Sequence, residues 1–397
     1  MLESNFIYVV NDSSSPPEKE ILCRFRKDSP DHGHPPDKSK TWSLVLKQAE
    51  TNSFITLKGV TDFHEKCPYV TSMYLDGHNC RLYDSIRPLE WNDPISTEPY
   101  DLLVVGGGAG GIMAAIKAIQ QGFRVGLIER SYIGGEHYNT GMISFQALEE
   151  CAEAAQKIME SKQYGIEISK ENCSVNIKKA MEFVRIKRAQ ITPMFCSVQS
   201  LTETYGIDVY LGNAKFLGPQ KIVVNDKILD FSKCIIAVGS HLSVPKYEGL
   251  ANVQYYTIET IYNMNKKPNT MVIFGSGQIA CAFAQVFQRL QIEVIIISEE
   301  TKLLASEVME DMNKYVDHTL KDLGVKVYTG ATIHKIDIKK SDKPSSAQAS
   351  GQSQTPMPEY VIDADIRGAK SNIVCQAILI ATHKTVKYTK ANIHSQA

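Results

Sequence analysis

Two stretches of this chain repeat one order of elements, and that repeat limits the architecture more than any other feature. DLLVVGGGAGGIMAAIKAIQQGFRVGLIE (101–129) and TMVIFGSGQIACAFAQVFQRLQIEVIIIS (270–298) each run apolar strand, glycine-rich turn, helix, second apolar strand. An unbroken apolar strand suits a parallel sheet covered on both faces, where no side chain meets water. Parallel neighbours need a crossover, and the helical run supplies one, so each stretch reads as a βαβ unit. The chain is therefore expected to be α/β.

The turns carry the chemistry. Gly106, Gly108 and Gly111 fit G-x-G-x-x-G in the context that motif needs, after a strand and opening a helix. The first glycine permits the tight turn, the second lets backbone approach a pyrophosphate, and the third lets the helix pack closely on its strand. The unpaired N–H groups of the helix N-terminus then face the phosphates. Glu129, 23 residues after Gly106, ends the second strand, where an acid accepts hydrogen bonds from ribose hydroxyls. In the second stretch Gly275, Gly277 and Ala280 fit the relaxed G-x-G-x-x-A form, but the equivalent of Glu129 is Ser298, followed by Glu299. A serine there holds a ribose less firmly. Glu299 and Glu300 would repel a 2′-phosphate, so NAD(H) is favoured over NADP(H). Both stretches read as dinucleotide-binding units of the Rossmann type.

The rest of the chain arranges itself around these units. Residues 1–97 read as a small β-rich N-terminal domain, with strand-like runs at 6–10, 41–48 and 54–60 and a hairpin over 69–84 turning at Asp76-Gly77. His32 and His34 fall in a polar, proline-rich stretch that reads as a solvated loop. Residues 91–99 read as a linker. The first unit is expected over 98–250, with helices at 144–163 and 174–204 and a buried strand at 231–240 that ends in Ala237-Val238-Gly239. The second is expected over 251–390, interrupted by a low-complexity loop at 341–359.

With 43 basic and 44 acidic residues the formal net charge is −1, which gives no electrostatic footprint for nucleic acid. No apolar run is long enough to span a bilayer, and the N-terminus lacks the pattern of a secretory signal. The nine cysteines form no CxxC pair and show no zinc spacing, which suits the cytoplasm or another reducing intracellular compartment and inert thiols.

The sequence resembles the pyridine nucleotide–disulfide oxidoreductases, in particular the mercuric-reductase and dihydrolipoamide-dehydrogenase branch. YDLLVVGGGAGGIMAAIKA, VGLIERSYIGGEHYNTG, YGIDVYLGNAKFLGPQKIVVND, IIAVGSHLSVPKYEGL and MVIFGSGQIACAFAQVFQRL carry the likeness across about residues 100–385. The resemblance implies FAD on the first unit, with Gly135, Ala237 and Gly239 beside it, and a nicotinamide dinucleotide on the second. It also implies a redox peptide G-G-x-C-x-N-x-G-C-x-P-S-K. Here that peptide runs from Gly134 to Gln146, with His137 and Met142 at the two cysteine positions. Neither side chain can form a disulfide or a thiolate. A lysine–glutamate pair that the family places by the flavin is replaced by Gln146 and Ala282, which removes both charges together. The A-T-G strand end reads Ala381-Thr382-His383. The family continues with a second FAD segment and a dimer-interface domain that this sequence does not reach, so weaker FAD binding is expected.

Two functions remain open from the residues. One is a flavin-dependent NADH oxidoreductase acting on a non-disulfide acceptor. The other is a non-catalytic scaffold that keeps the fold and meets a protein partner through residues 1–97. Disulfide reduction through the 134–146 peptide is expected of neither.

Overall fold

The computed structural model describes residues 6–10, 21–24, 43–45, 56–57, 77–88, 91–168, 174–305, 308–339 and 357–385. His32, His34 and nearly all of the 341–359 segment lie outside the described residues. In the N-terminal region the strands β1 (Phe6–Val10), β2 (Ile21–Arg24), β3 (Ser43–Val45) and β4 (Thr56–Leu57) form an antiparallel sheet in the order β3-β2-β1-β4.

The hairpin expected over 69–84 is corrected by a helix, α1, at Gly77–Ile86. The residues before Gly77 in that run lie outside the described set. The β-rich composition of YVTSMYL suggested a strand, but Asn79, Leu82, Tyr83 and Ile86 recur at helical spacing, and all four are buried. Leu82, Tyr83 and Ile86 enter the same core as Val104, Ile112 and Val198 of the first unit. The linker at 91–99 is likewise pinned to that unit: the Trp91 indole donates to the Val209 carbonyl at 3.0 Å, and the Leu211 N–H donates to Asp93 at 3.0 Å.

The first unit starts with β5 (Tyr100–Val105), α2 (Ala109–Gln120) and β6 (Val125–Glu129). Next come the short α3 (Gly135–Asn139) and the long α4 (Met142–Met159) and α5 (Ile177–Phe195). The strands β7 (Asp208–Leu211), β8 (Ala214–Gly218), β9 (Lys221–Val224) and β10 (Lys227–Ile236) complete it. The sheet order is β7-β6-β5-β10-β9-β8: β7, β6, β5 and the end of β10 run parallel, while β8, β9 and the start of β10 form an antiparallel meander. The strand expected to be fully buried at 231–240 is only partly so, since Ile235 and Ile236 are 39% and 41% exposed. Beyond Asp230 the outer edge of β10 has no strand partner among the described residues, which accounts for that exposure.

The short strands β11 (His241–Leu242) and β12 (Tyr256–Thr257) lead into the second unit: β13 (Thr270–Phe274), α6 (Gln278–Arg289), β14 (Glu293–Ser298), α7 (Glu310–Asp322) and β15 (Lys326–Thr329). An antiparallel sheet of β16 (Ala331–Ile338), β17 (Tyr360–Ile366) and β18 (Ala369–Cys375) follows, then β19 (Ala377–Ile380) and β20 (Lys384–Thr385). The order β12-β19-β13-β14-β15 is parallel throughout. In the second unit a three-stranded meander precedes the strand that returns beside the first, whereas in the first unit β10 is both the last meander strand and the returning one.

The two units are not separate bodies. β11 pairs antiparallel with β20. One core cluster joins Leu148, Ala152, Met181 and Val184 of α4 and α5 to Phe283, Phe287 and Ile296 of the second unit. The buried Arg185 donates to the Tyr262 carbonyl across the same boundary at 3.2 Å.

Leu82→Ala tests the helix. Deleting a fully buried leucine from a well-packed core is expected to lower stability by about 2–5 kcal/mol, read from denaturant unfolding. A solvated loop at that position would give no measurable change.

Candidate functional site

The two glycine turns are built alike down to their dihedrals. Gly106 and Gly275 have φ of 112° and 130°, a region closed to most side chains. A Cβ at Gly106 would lie 2.2 Å from the Ala237 carbonyl oxygen, and one at Gly275 would lie 2.3 Å from that of Ala381. Strand-end backbone therefore crosses directly over each first glycine. Gly108 and Gly277 cap their helices with the same φ of −77° and ψ of −179°. A Cβ at Gly111 would lie 1.8 Å from the Gly106 carbonyl oxygen, so the first turn needs glycine here, whereas the second turn accommodates the Cβ of Ala280. At Gly108 the nearest heavy atom to a Cβ would be 4.0 Å away, on Gly135. No protein neighbour explains glycine there, and the free space is a cradle open to a ligand's phosphates.

Beside this cradle a cleft is lined by Gly106, Glu129, Arg130, Asn213, Ala214 and His241. The Glu129 carboxylate is 8% exposed, and its two oxygens accept from the Gly107 and Ser131 N–H groups, each at 2.6 Å. Burial pushes this carboxyl above the usual carboxylate range, and the two N–H donors pull against that. The two oxygens so held keep lone pairs for ribose hydroxyls. Arg130 and His241 approach to 2.5 Å at the same cleft. The sequence reading did not single out Arg130, Asn213, Ala214 or His241. Arg130 had a local signal, since it follows the acid, whereas Asn213 and Ala214 reach the cleft from the loop after β7, which no local spacing marks.

The second turn differs where the acid should be. The Ser298 hydroxyl is buried, donates to the Ser276 hydroxyl at 2.9 Å and accepts the Glu300 N–H at 3.2 Å. Its hydrogen bonding is used inside the turn. Glu299 is exposed and hydrogen-bonded to Tyr247, whose hydroxyl is pushed up to about 12, first by burial and then by Glu299. Ala280 is fully buried against the strand, as the third position requires.

Between the units lies an apolar cavity of about 280 Å³, faced by Met142, Phe145, Ile258, Tyr262, Ile279 and Phe283, with Glu136, Thr140, Gln278 and Ala282 also on its wall. It is close to the lower end of ligand-pocket sizes. The Phe145 and Phe283 rings meet edge to face at 5.1 Å. Of the two residues at the cysteine positions, only Met142 reaches this wall. His137 is exposed and packs edge-on against Tyr138 at 5.1 Å. Gln146 is exposed rather than turned into the core, while Ala282 lies on the cavity wall. Gly239 keeps a φ of 67° after Ala237, whereas His383 is outside the left-handed region, as its Cβ requires. Among the described residues no group of His, Cys, Asp and Glu could hold a metal ion, and no helix is long and apolar enough to cross a membrane.

A family model for pyridine nucleotide-disulphide oxidoreductase matches residues 100–382. The chain belongs to this family. Its members include a mercuric reductase from Lysinibacillus sphaericus, 29% identical over 256 residues, which cover 64% of this chain and 46% of that protein. A dihydrolipoyl dehydrogenase from Acholeplasma laidlawii is 30% identical over 245 residues, covering 61% of this chain and 71% of the relative. An HOCl-induced flavoprotein disulfide reductase from Escherichia coli superposes with a TM-score of 0.58 at 20% identity, covering 74% of this chain and 58% of that one; at that identity the likeness is one of fold. The chain spans about half the length of the mercuric reductase it matches. The family consists of FAD- and NAD(P)-dependent flavoproteins.

The thiols offer a direct check on the expectation of inert cysteines. Burial pushes Cys151 and Cys234 up to about 11 and Cys196 and Cys375 up to about 12. A raised thiol pKa leaves little thiolate at neutral pH, and alkylation requires thiolate. In peptide mapping of the native chain with iodoacetamide, these four cysteines should stay unlabelled at pH 7 and become labelled only after unfolding. Labelling of Cys196 in the native chain at pH 7 would contradict the burial seen here.

Proposed function

We propose that this chain binds FAD on its first glycine turn, takes electrons from NADH bound near the second, and passes them to an acceptor other than a disulfide. The observation that carries this reading is the wall of the inter-unit cavity. Met142 stands there in place of a redox cysteine, and the wall has an apolar surface and no thiol. The cradle at Gly108, the buried Glu129 carboxylate and the adjoining cleft fit an ADP-containing cofactor. Gly106, Gly108, Gly111, Gly135, Ala237 and Gly239 would bring backbone to it, and Glu129 would accept its ribose hydroxyls. When bound, the flavin ring supplies hydride acceptance and electron delivery.

The protein's own contribution is positional. Phe145, Tyr262 and Phe283 give the cavity an apolar wall for a flat ring. With Gln146 and Ala282 replacing the charged pair, no buried lysine–glutamate dipole sets the polarity there. At the second turn Gly275, Gly277 and Ala280 keep the backbone geometry, and Glu299 takes over from the occupied Ser298 as the acid nearest the ribose. Glu299 also opposes a 2′-phosphate, which makes NAD(H) the preferred dinucleotide.

The deciding experiment is the visible spectrum of the purified full chain after incubation with FAD, followed by NADH oxidation with a dye and with a disulfide acceptor. A flavin band is expected, with dye reduction that Gly108→Trp abolishes and no turnover of the disulfide. NADH-dependent disulfide reduction would overturn the proposal. A chain that stays colourless would favour the second reading, a scaffold, which is supported by the closure of Ser298 on Ser276.

Glu129→Ala removes the acceptor of the ribose hydroxyls. Losing hydrogen bonds to a charged group is expected to weaken FAD binding about 10–100-fold, measured by flavin fluorescence. An unchanged affinity would remove Glu129 from the cofactor site.

A further inference from the structure

The crevice between the first turn and the returning strand holds charges that the family resemblance does not assign. Glu136 is paired with Lys384 of β20, and both side chains are partly buried, at 34% and 23% exposed. The Glu136 backbone follows Gly135, whose Cβ position would lie 2.8 Å from the Gly108 Cα, so this carboxylate starts one residue from the open cradle. Gly108 and Gly134 are joined by a β-bridge, which fixes that proximity. Glu136 also sits on the wall of the apolar cavity, and so links that cavity to the cradle. Glu259 belongs to the same cluster. Burial pushes its carboxyl up first and Glu136 repels it further, while Lys384 and Arg130 draw it down. Arg130 in turn lines the cleft next to Glu129. Two acids therefore lie among two cations where a diphosphate, carrying two negative charges, has to approach.

We propose that Glu136 is a built-in competitor of the cofactor's diphosphate: it holds Lys384 in the empty chain, and binding of a dinucleotide requires the lysine to exchange that carboxylate for a phosphate. This rests on the FAD-binding reading above. Lys384 lies on the strand that returns from the second unit, so the exchange makes cofactor affinity depend on the seating of β20 against β11. An acid left unpaired beside the phosphates repels them, so Glu136 lowers affinity in either position. The ligand class is a dinucleotide with a diphosphate bridge. A flavin without phosphates makes no use of the exchange.

The test titrates the full chain with FAD and, separately, with riboflavin, following flavin fluorescence at low salt. For Glu136→Gln, FAD is expected to bind about tenfold more tightly than to the wild-type chain, and the gain should shrink as salt is raised. Lys384→Gln is expected to weaken FAD about tenfold, with riboflavin unchanged by either substitution. If the wild-type chain binds FAD and Glu136→Gln leaves that affinity equal or weaker, the competition is wrong and the cofactor site stands. FAD binding gained only in Glu136→Gln would support the competition in its strongest form. A chain and a Glu136→Gln variant that both fail to bind FAD would overturn the cofactor reading and this proposal together. Equal shifts for FAD and riboflavin would show a packing effect and overturn the electrostatic exchange.

Discussion

Everything functional in this fold depends on one close approach of backbone to backbone. The chain leaving β5 must turn beneath the carbonyl of Ala237, and the chain leaving β13 must turn beneath that of Ala381. Gly106 and Gly275 are the only residue type that can do this at positive φ with a carbonyl where a Cβ would be. Matching hydrogen bonds surround each crossing: the Gly106 N–H donates to Ile128 at 2.8 Å and Ala237 to Val105 at 2.7 Å, while Gly275 donates to Ile297 at 3.0 Å and Ala381 to Phe274 at 2.9 Å. The crossing closes the tops of three strands over one point. The helix that follows must then start there, with its unpaired N–H groups facing outward.

From this shared frame the two units diverge through one side chain each. Glu129 has its carboxylate fixed by two backbone donors and keeps spare lone pairs at the cleft. Ser298, in the corresponding place, is turned onto Ser276 and has little left to offer a ligand. The acid that remains near the second turn is Glu299, one residue further along and exposed, with Tyr247 as its partner. An acid held by backbone keeps one geometry, whereas one held by a tyrosine moves with the loop that carries the tyrosine.

The architecture was legible in the sequence because strand, glycine turn, helix and strand each left an independent mark, and all agreed. The helix at Gly77–Ile86 was misread because its aromatic and β-branched surroundings outweighed a four-residue helical spacing, and only burial against the first unit decides between them. The candidate site was legible where backbone sets it, at Gly106, Gly108, Gly111 and Glu129. It was not legible where distant segments meet. Asn213 and Ala214 reach the cleft from the end of β7, Tyr262 and Phe283 meet Phe145 across the boundary, and Lys384 finds Glu136 across most of the chain. No local spacing encodes such meetings, which follow from the order of strands in the two sheets.

The core that α4 and α5 share with Phe283, Phe287 and Ile296 bears on cooperativity. Residue 250 separates the two main sheets, but this one cluster crosses it, and the inner faces of α4 and α5 stay out of water only while the second half packs against them. That shared cluster couples the unfolding of one nucleotide unit to the other. A ligand bound at either glycine turn adds its binding free energy to the stability of both.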